Sequence, residues 1–220
     1  MKKLSFVFTL LFAASTLFMI SCADDDTTAP VITVLGDNPV DHLLNTDYID
    51  AGATAQDDED GDLTVEVENN VNPDKIGTYN VNYFATDLSG NTGSATRTVN
   101  IIVKQVSFQF TWSVVDSVVG VGQGIYDYNS AISSSATDPG KILISNFGGF
   151  GNQVIVTANF DKFGNITIPS QQMVGVDPGS EGTVSGTGSM ADHGNNLFIE
   201  YTITYDAGGT DTGYATFTKL

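Results

Sequence analysis

Beyond residue 30, apolar and polar residues alternate with a period of two along most of the chain. Leu63, Val65 and Val67 stand opposite Thr64, Glu66 and Glu68, and Tyr79, Val81, Tyr83 and Ala85 stand opposite Thr78, Asn80 and Asn82. Ala95, Val99, Ile101 and Val103 share a face that also carries Arg97. Alternation of this kind is what a strand with one dry face requires. It predicts strands at Val31–Leu35, Leu63–Glu68, around Tyr79–Ala85 and around Ala95–Val103. Gly36-Asp37-Asn38-Pro39, Asp60-Gly61 and Ser89-Gly90-Asn91 supply turns between them.

A second alternating set begins at Val106, Phe108, Phe110, Trp112 and Val114, with Ser107, Gln109, Thr111 and Ser113 between. Seven further strands are predicted at Ile125–Ser133, Lys141–Asn146, Val154–Phe160, Gly164–Ile168, Thr183–Met190, Leu197–Tyr205 and Tyr214–Lys219. Residues 161–165 and 192–195 read as hairpin turns. After the leader, no run carries helical spacing over a dozen positions, so the fold class is all-β. The break at Lys104-Gln105 divides two modules, a sandwich over residues 30–103 and a second antiparallel domain over 105–220. About eight short, closely spaced strands suggest an up-and-down barrel, since closure removes exposed edges. An open sandwich is the rival.

The beginning of the chain has a different character. Lys2 and Lys3 precede an uncharged apolar run from Leu4 to Ile20, shorter than the roughly 20 residues of a spanning helix. Ser21 then precedes Cys22, the sole cysteine. This layout reads as an export signal over residues 1–21. Met19-Ile20-Ser21-Cys22 resembles a bacterial lipobox, although Met19 is a less common choice at its position. The resemblance implies lipidation of Cys22 and a membrane partner reached through acyl chains. An ordinary signal peptide or an uncleaved anchor helix is the competing reading. Residues 22–29, with Asp24-Asp25-Asp26, form an acidic tether. They resemble the export tag of Bacteroidetes-type surface lipoproteins, which implies an outer-membrane protein facing the extracellular side. A leash facing the periplasm is the alternative.

Several motifs of the first module also carry a resemblance. Tyr48-Ile49-Asp50-Ala51-Gly52, Asp60-Gly61-Asp62-Leu63-Thr64, Gly77-Thr78-Tyr79, Ala85-Thr86-Asp87-Leu88-Ser89-Gly90-Asn91 and Ala95-Thr96-Arg97 fall in the order of the bacterial Ig-like domain named after a pesticidal crystal protein. That family implies a spacer or adhesive sandwich. The second module is more loosely similar to lipocalin-like barrels of surface lipoproteins. The likeness rests on its Trp-bearing first strand, Ile144-Ser145-Asn146-Phe147-Gly148-Gly149, Ile166-Thr167-Ile168-Pro169 and Leu197–Ile203.

Charge narrows the partners. Loss of Lys2 and Lys3 with the leader leaves six scattered basic residues against 26 acidic ones. Such a surface repels phosphate backbones, so nucleic acid is excluded as a partner. With one cysteine, neither an intrachain disulfide nor a Cys-based metal site can form. The acidic run Asp57–Asp62 invites calcium, but an EF-hand loop with Gly61 at its sixth position would meet Val67 where it needs its closing glutamate. A looser site of Asp58, Asp60 and Asp62, with Asp87 from another turn, stands against a solvated acidic turn. No cofactor is otherwise expected.

His42 and His193 lie in different modules with no ligand spacing around them, and no nucleophile elbow accompanies the serines. The chain reads as a non-enzyme, with a carboxylate-based hydrolase as the residual option. Trp112 sits on an apolar face, where core packing competes with a ligand-stacking role. Tyr126 and Tyr128 beside a Gly-rich approach, and Phe147 and Phe150 flanking Gly148-Gly149, are the other candidate ligand contacts. The expected function is a monomeric surface lipoprotein whose second module binds a small molecule or glycan. A purely structural or adhesive protein is the alternative. A cavity lined by Trp112 and tyrosines would favour the first, and a filled interior the second.

Overall fold

The computed structural model describes residues 26–191 and 193–220. The expected leader, the proposed anchor Cys22 and residues 23–25 of the expected tether lie outside them, as does Asp192 of the 192–195 turn.

The first module is a two-sheet sandwich. One sheet contains β1 (Val31–Val34), β3 (Ala53–Asp57) and β4 (Gly61–Leu63) in the order β1-β3-β4. The other contains β2 (Val40–Leu43), β5 (Glu66–Asn69), β6 (Gly77–Thr86) and β7 (Thr92–Ile102) in the order β2-β7-β6-β5, with β2 parallel to β7. The dry faces are those that the alternation marks. Val81, Tyr83 and Ala85 of β6, with Val99 and Ile101 of β7, are buried between the sheets. Leu63–Glu68 is not one strand, however. The chain crosses between sheets at Thr64-Val65, so Leu63 pairs with Ala55 while Val67 pairs with Tyr83 and is 49% exposed.

Arg97, on the same dry face, is buried and ion-paired at 2.9 Å to Asp50, which precedes β3. Tyr83 and Tyr48 donate their hydroxyls to the same carboxylate at 2.7 and 2.9 Å, and the Gly52 N–H adds a fourth contact at 2.8 Å. A charge between two sheets is tolerable only with such partners, which the Asp50 carboxylate has in full, while Arg97 Nε is buried without one.

The second module is a closed antiparallel barrel. It runs through β8 (Thr111–Gly120), β9 (Gly124–Ser134), β10 (Lys141–Ser145), β11 (Ile155–Phe160), β12 (Asn165–Gln172), β13 (Gly182–Met190), β14 (Asn196–Tyr205) and β15 (Thr210–Lys219). Each strand pairs with its sequence neighbour, and β15 returns to pair with β8 from Asp211–Gly120 to Lys219–Trp112. The predicted first strand starts too early. Residues 105–107 form a 3₁₀ turn, Val106 is exposed, and Phe108 is buried as a plug ahead of β8. Trp112, Val114, Ile142, Ile144, Ile166, Ile168, Leu197, Ile199 and Phe217 fill the interior. Each such burial stabilises the fold by roughly 1.5–3 kcal/mol relative to exposure.

Antiparallel winding sends alternate loops to opposite ends. The turns after β9, β11 and β13 face the sandwich, together with the entry segment at 104–110. Here Lys162 pairs with Asp41 at 3.0 Å, the Val103 N–H donates to the Lys162 carbonyl at 2.9 Å, and His193 Nδ1 donates to the Asp74 carbonyl at 2.6 Å. Leu44 is buried in the junction beside Gly194. The loops after β8, β10, β12 and β14 are left at the far end.

Candidate functional site

At the far end the barrel is not filled. A pocket of about 200 Å³ is lined by Val118, Tyr126, Phe150, Tyr201, Tyr205 and Asp211, with backbone from Gly122 and Gly148-Gly149. Two of the four distal loops, those after β8 and β10, contribute to it, and the facing ends of β14 and β15 complete the wall. Depth within the barrel follows strand parity. On β8, Trp112, Val114 and Asp116 face inward in succession, the first nearest the sandwich and the last beneath the pocket.

Asp116 is fully buried. Its Oδ2 accepts the Tyr201 hydroxyl at 2.5 Å and the Tyr128 hydroxyl at 3.1 Å, whereas Oδ1 is buried without a partner. Burial pushes this carboxyl above the usual carboxylate range, and the two tyrosine hydrogen bonds offset only part of that shift. The same burial, with the adjacent carboxylate, raises Tyr128 and Tyr201, so both remain neutral donors. Room for the Tyr201 ring comes from its cross-strand neighbour Gly213, where a Cβ would stand 2.1 Å from Cζ.

Asp211 plays a different part. Its Oδ1 accepts the Gly122 N–H at 2.8 Å and its Oδ2 the Tyr205 hydroxyl at 2.7 Å. It thereby fixes the 120–124 turn against β14 and sets one wall of the pocket. Tyr126, 43% exposed, extends this wall and donates to the Gly122 carbonyl at 2.8 Å. The result is a compact recess with aromatic walls and a polar floor. That chemistry suits a ligand with an apolar face and one or two hydrogen-bonding groups.

The expected aromatic residues separate into three groups. Tyr126 and Phe150 line the pocket. Tyr128 lies beneath it as a donor to Asp116. Trp112 and Phe147 are fully buried and do not line it. Trp112 Nε1 donates to the Phe108 carbonyl at 3.1 Å, near the sandwich. Phe147, in the turn after β10, packs its ring on Tyr201 with centroids 4.8 Å apart. Both are core residues because their inward-facing positions lie below or beside the open end.

Asp116, Tyr201, Tyr205 and Asp211 are not among the ligand contacts that the sequence predicts. Asp116 had a readable signal, an acid in step with Trp112 and Val114 on an otherwise apolar face. Asp211 lies ahead of the predicted start of the last strand, which begins at Thr210 rather than at Tyr214.

The expected calcium ligands Asp58, Asp60, Asp62 and Asp87 do not form one group. Asp58 and Asp62 are exposed, and Asp60 Oδ2 accepts the Leu88 N–H at 2.7 Å.

Residues 32–101 match the family model described as "Bacterial surface protein, Ig-like domain". Among solved structures, a lipoprotein of Bacteroides thetaiotaomicron aligns at 17% identity over 87% of this chain and 100% of that one, with a TM-score of 0.37. A redesigned β-barrel aligns at 10% identity over 53% of this chain and 94% of that one, with a TM-score of 0.31. The CBM51-2 module in complex with GlcNAc and INT domains from Clostridium perfringens aligns at 14% identity over 86% of this chain and 47% of that one, with a TM-score of 0.29. No curated protein matches the sequence.

Proposed function

We propose that a chain carrying an Ig-like module of the bacterial surface type, followed by a barrel with its open end turned away from that module, is an outer-membrane lipoprotein acting as a non-catalytic binding protein. The Ig-like module serves as a spacer. The barrel presents its distal pocket to a small molecule or a glycan terminus. The lipid anchor at Cys22 rests on the lipobox-like pattern Met19–Cys22, and extracellular orientation rests on the acidic tether that follows it.

The observation that carries the reading is the polarity of the barrel. One end is occupied by the sandwich, and the recess opens at the other, where a tethered protein would meet ligand. At about 200 Å³ the pocket is smaller than the roughly 300–1,000 Å³ of drug-sized sites, so it suits one sugar ring or a similarly compact group. Non-catalytic action is supported by the carboxylates of the recess. Both oxygens of Asp211 are engaged, and Asp116 is held beneath two tyrosines.

A glycan array together with a thermal-shift screen of small metabolites tests the binding. A ligand should be lost in Tyr126→Ala and Phe150→Ala, with the barrel still folded. The filled lower barrel, from Trp112 to Ile199, supports the rival reading of a structural or adhesive protein. Failure of both screens with folded protein would decide for that rival. Anchoring has its own test: Cys22→Ala should appear as soluble protein, and retention in the membrane fraction would contradict a lipid anchor.

A further inference from the structure

The end of the sandwich opposite the barrel contains a second polar constellation. Asp57 ends β3, Asp87 follows β6, and Asp26 lies on the segment that enters the module. One carboxylate oxygen from each lies within 4.8 Å of the other two. Asp57 and Asp87 are over nine-tenths buried. The Oδ2 atoms of Asp57 and Asp26 are buried and have no hydrogen-bond partner.

The surrounding contacts position these acids without neutralising them. Asp57 Oδ1 accepts the N–H groups of Glu59 and Asp60 at 3.0 and 3.1 Å. Asp87 accepts the Asn91 N–H and side-chain amide, both at 2.8 Å, and the same amide reaches the Asp26 carbonyl at 3.1 Å. Asp26 Oδ1 takes the Thr28 N–H at 2.8 Å. Gly93 lets the entering segment lie close, since a Cβ there would stand 1.9 Å from the Pro30 carbonyl.

Three carboxylates this close repel one another unless a cation lies between them. The ion pairs of Arg97–Asp50, Lys141–Asp138 and Lys162–Asp41 all lie elsewhere. Calcium takes oxygen ligands at about 2.3–2.6 Å, so atoms on opposite sides of one ion lie roughly 4.6–5.2 Å apart. The observed spacing fits within that sphere. The buried, unpartnered Oδ2 of Asp57 is what separates this group from an ordinary acidic turn, where both oxygens would reach water or a donor.

We infer that Asp26, Asp57 and Asp87 form a calcium site at the entry pole of the Ig-like module. Backbone carbonyls or waters would complete the six to eight oxygens that calcium prefers. Asp57 and Asp87 come from the two turns at this pole, and Asp26 comes from the tether. Bound calcium therefore fastens the entering chain to the sandwich and shortens the free leash.

The test is calorimetric titration of the full chain, purified in detergent and stripped with EDTA, with calcium up to about 10 mM, tenfold above the weak end of extracellular calcium modules. We expect one ion per chain and, at saturation, a rise of about 10 °C in the melting temperature of the Ig-like module. Asp57→Asn and Asp87→Asn should each abolish both effects. Asp58→Asn and Asp62→Asn should retain them. Asp57→Asn also relieves repulsion, so without calcium it should melt no lower than the parent, which separates loss of a ligand from misfolding. Absence of heat and of a melting shift in the parent, or binding that survives Asp57→Asn, overturns the site.

Discussion

Replacing Asp50 with alanine tests how the sandwich tolerates charge between its sheets. Asp50 has a side chain only 11% exposed and is the shared acceptor of Arg97, Tyr83, Tyr48 and the Gly52 N–H. Its loss leaves the 3%-exposed Arg97 without its counter-ion and two tyrosine hydroxyls without an acceptor. Removing one partner of a buried pair costs about 3–5 kcal/mol. A module of this size holds roughly 4–10 kcal/mol in total, at 0.05–0.15 kcal/mol per residue. The variant should therefore forfeit from about a third of its stability to all of it.

The lone tryptophan, Trp112, lies in the barrel core and reports that domain separately, while far-UV circular dichroism follows both. In urea, Asp50→Ala should split the two signals, the sandwich unfolding first. Adding Arg97→Met should recover part of the loss, because the orphaned charge goes with it. Acid should act in the same direction. Burial works to raise the Asp50 carboxyl, but its hydrogen bonds and Arg97 more than offset this, and it is held below the usual range. The stability it adds is present above the unfolded carboxylate value near pH 4 and is lost as pH falls through the lower folded value. The double variant should lack that acid-sensitive component. A loss below about 1 kcal/mol for Asp50→Ala would refute the reasoning, since a pair so weak would be one that water already screens.

Other outcomes follow from single contacts. Asp116→Asn should keep an acceptor for Tyr128 and Tyr201 while removing a buried charge. In the parent, the barrel should lose stability as pH rises from about 4 through the raised folded value of this carboxyl, and the variant should show a flatter profile in Trp112 fluorescence. Gly213→Val should drive a side chain into the Tyr201 ring and cost the barrel about 1–3 kcal/mol in urea, and an unchanged midpoint would mean that the ring moves freely. Leu44→Ala at the junction should cost about 2–5 kcal/mol and shift the sandwich transition. Lys162→Ala, which breaks a half-exposed pair, should change stability by less than about 1 kcal/mol.

Much of this architecture was legible in the order of residues. The period-two pattern marks the dry faces of β6, β7 and β14, because only a strand places alternate side chains on one side. Eight such runs without a helix pointed to the barrel. The same pattern misled at Leu63–Glu68 and at Val106–Phe110. Alternation records which residues avoid water, and a chain crossing between sheets or plugging a barrel end can keep that rhythm without forming one continuous strand.

The sequence by itself determined an all-β chain in two parts, an acidic surface, and the inward position of Trp112. Tertiary structure alone decided that Trp112 lies deep while Tyr126 and Phe150 reach an opening, that Asp57 rather than Asp58 meets Asp87 and Asp26, and that β15 closes on β8. Parity sets the face of a side chain. Its depth along the barrel, and its neighbours from distant strands, depend on pairing register and loop direction, which are properties of the assembled sheets.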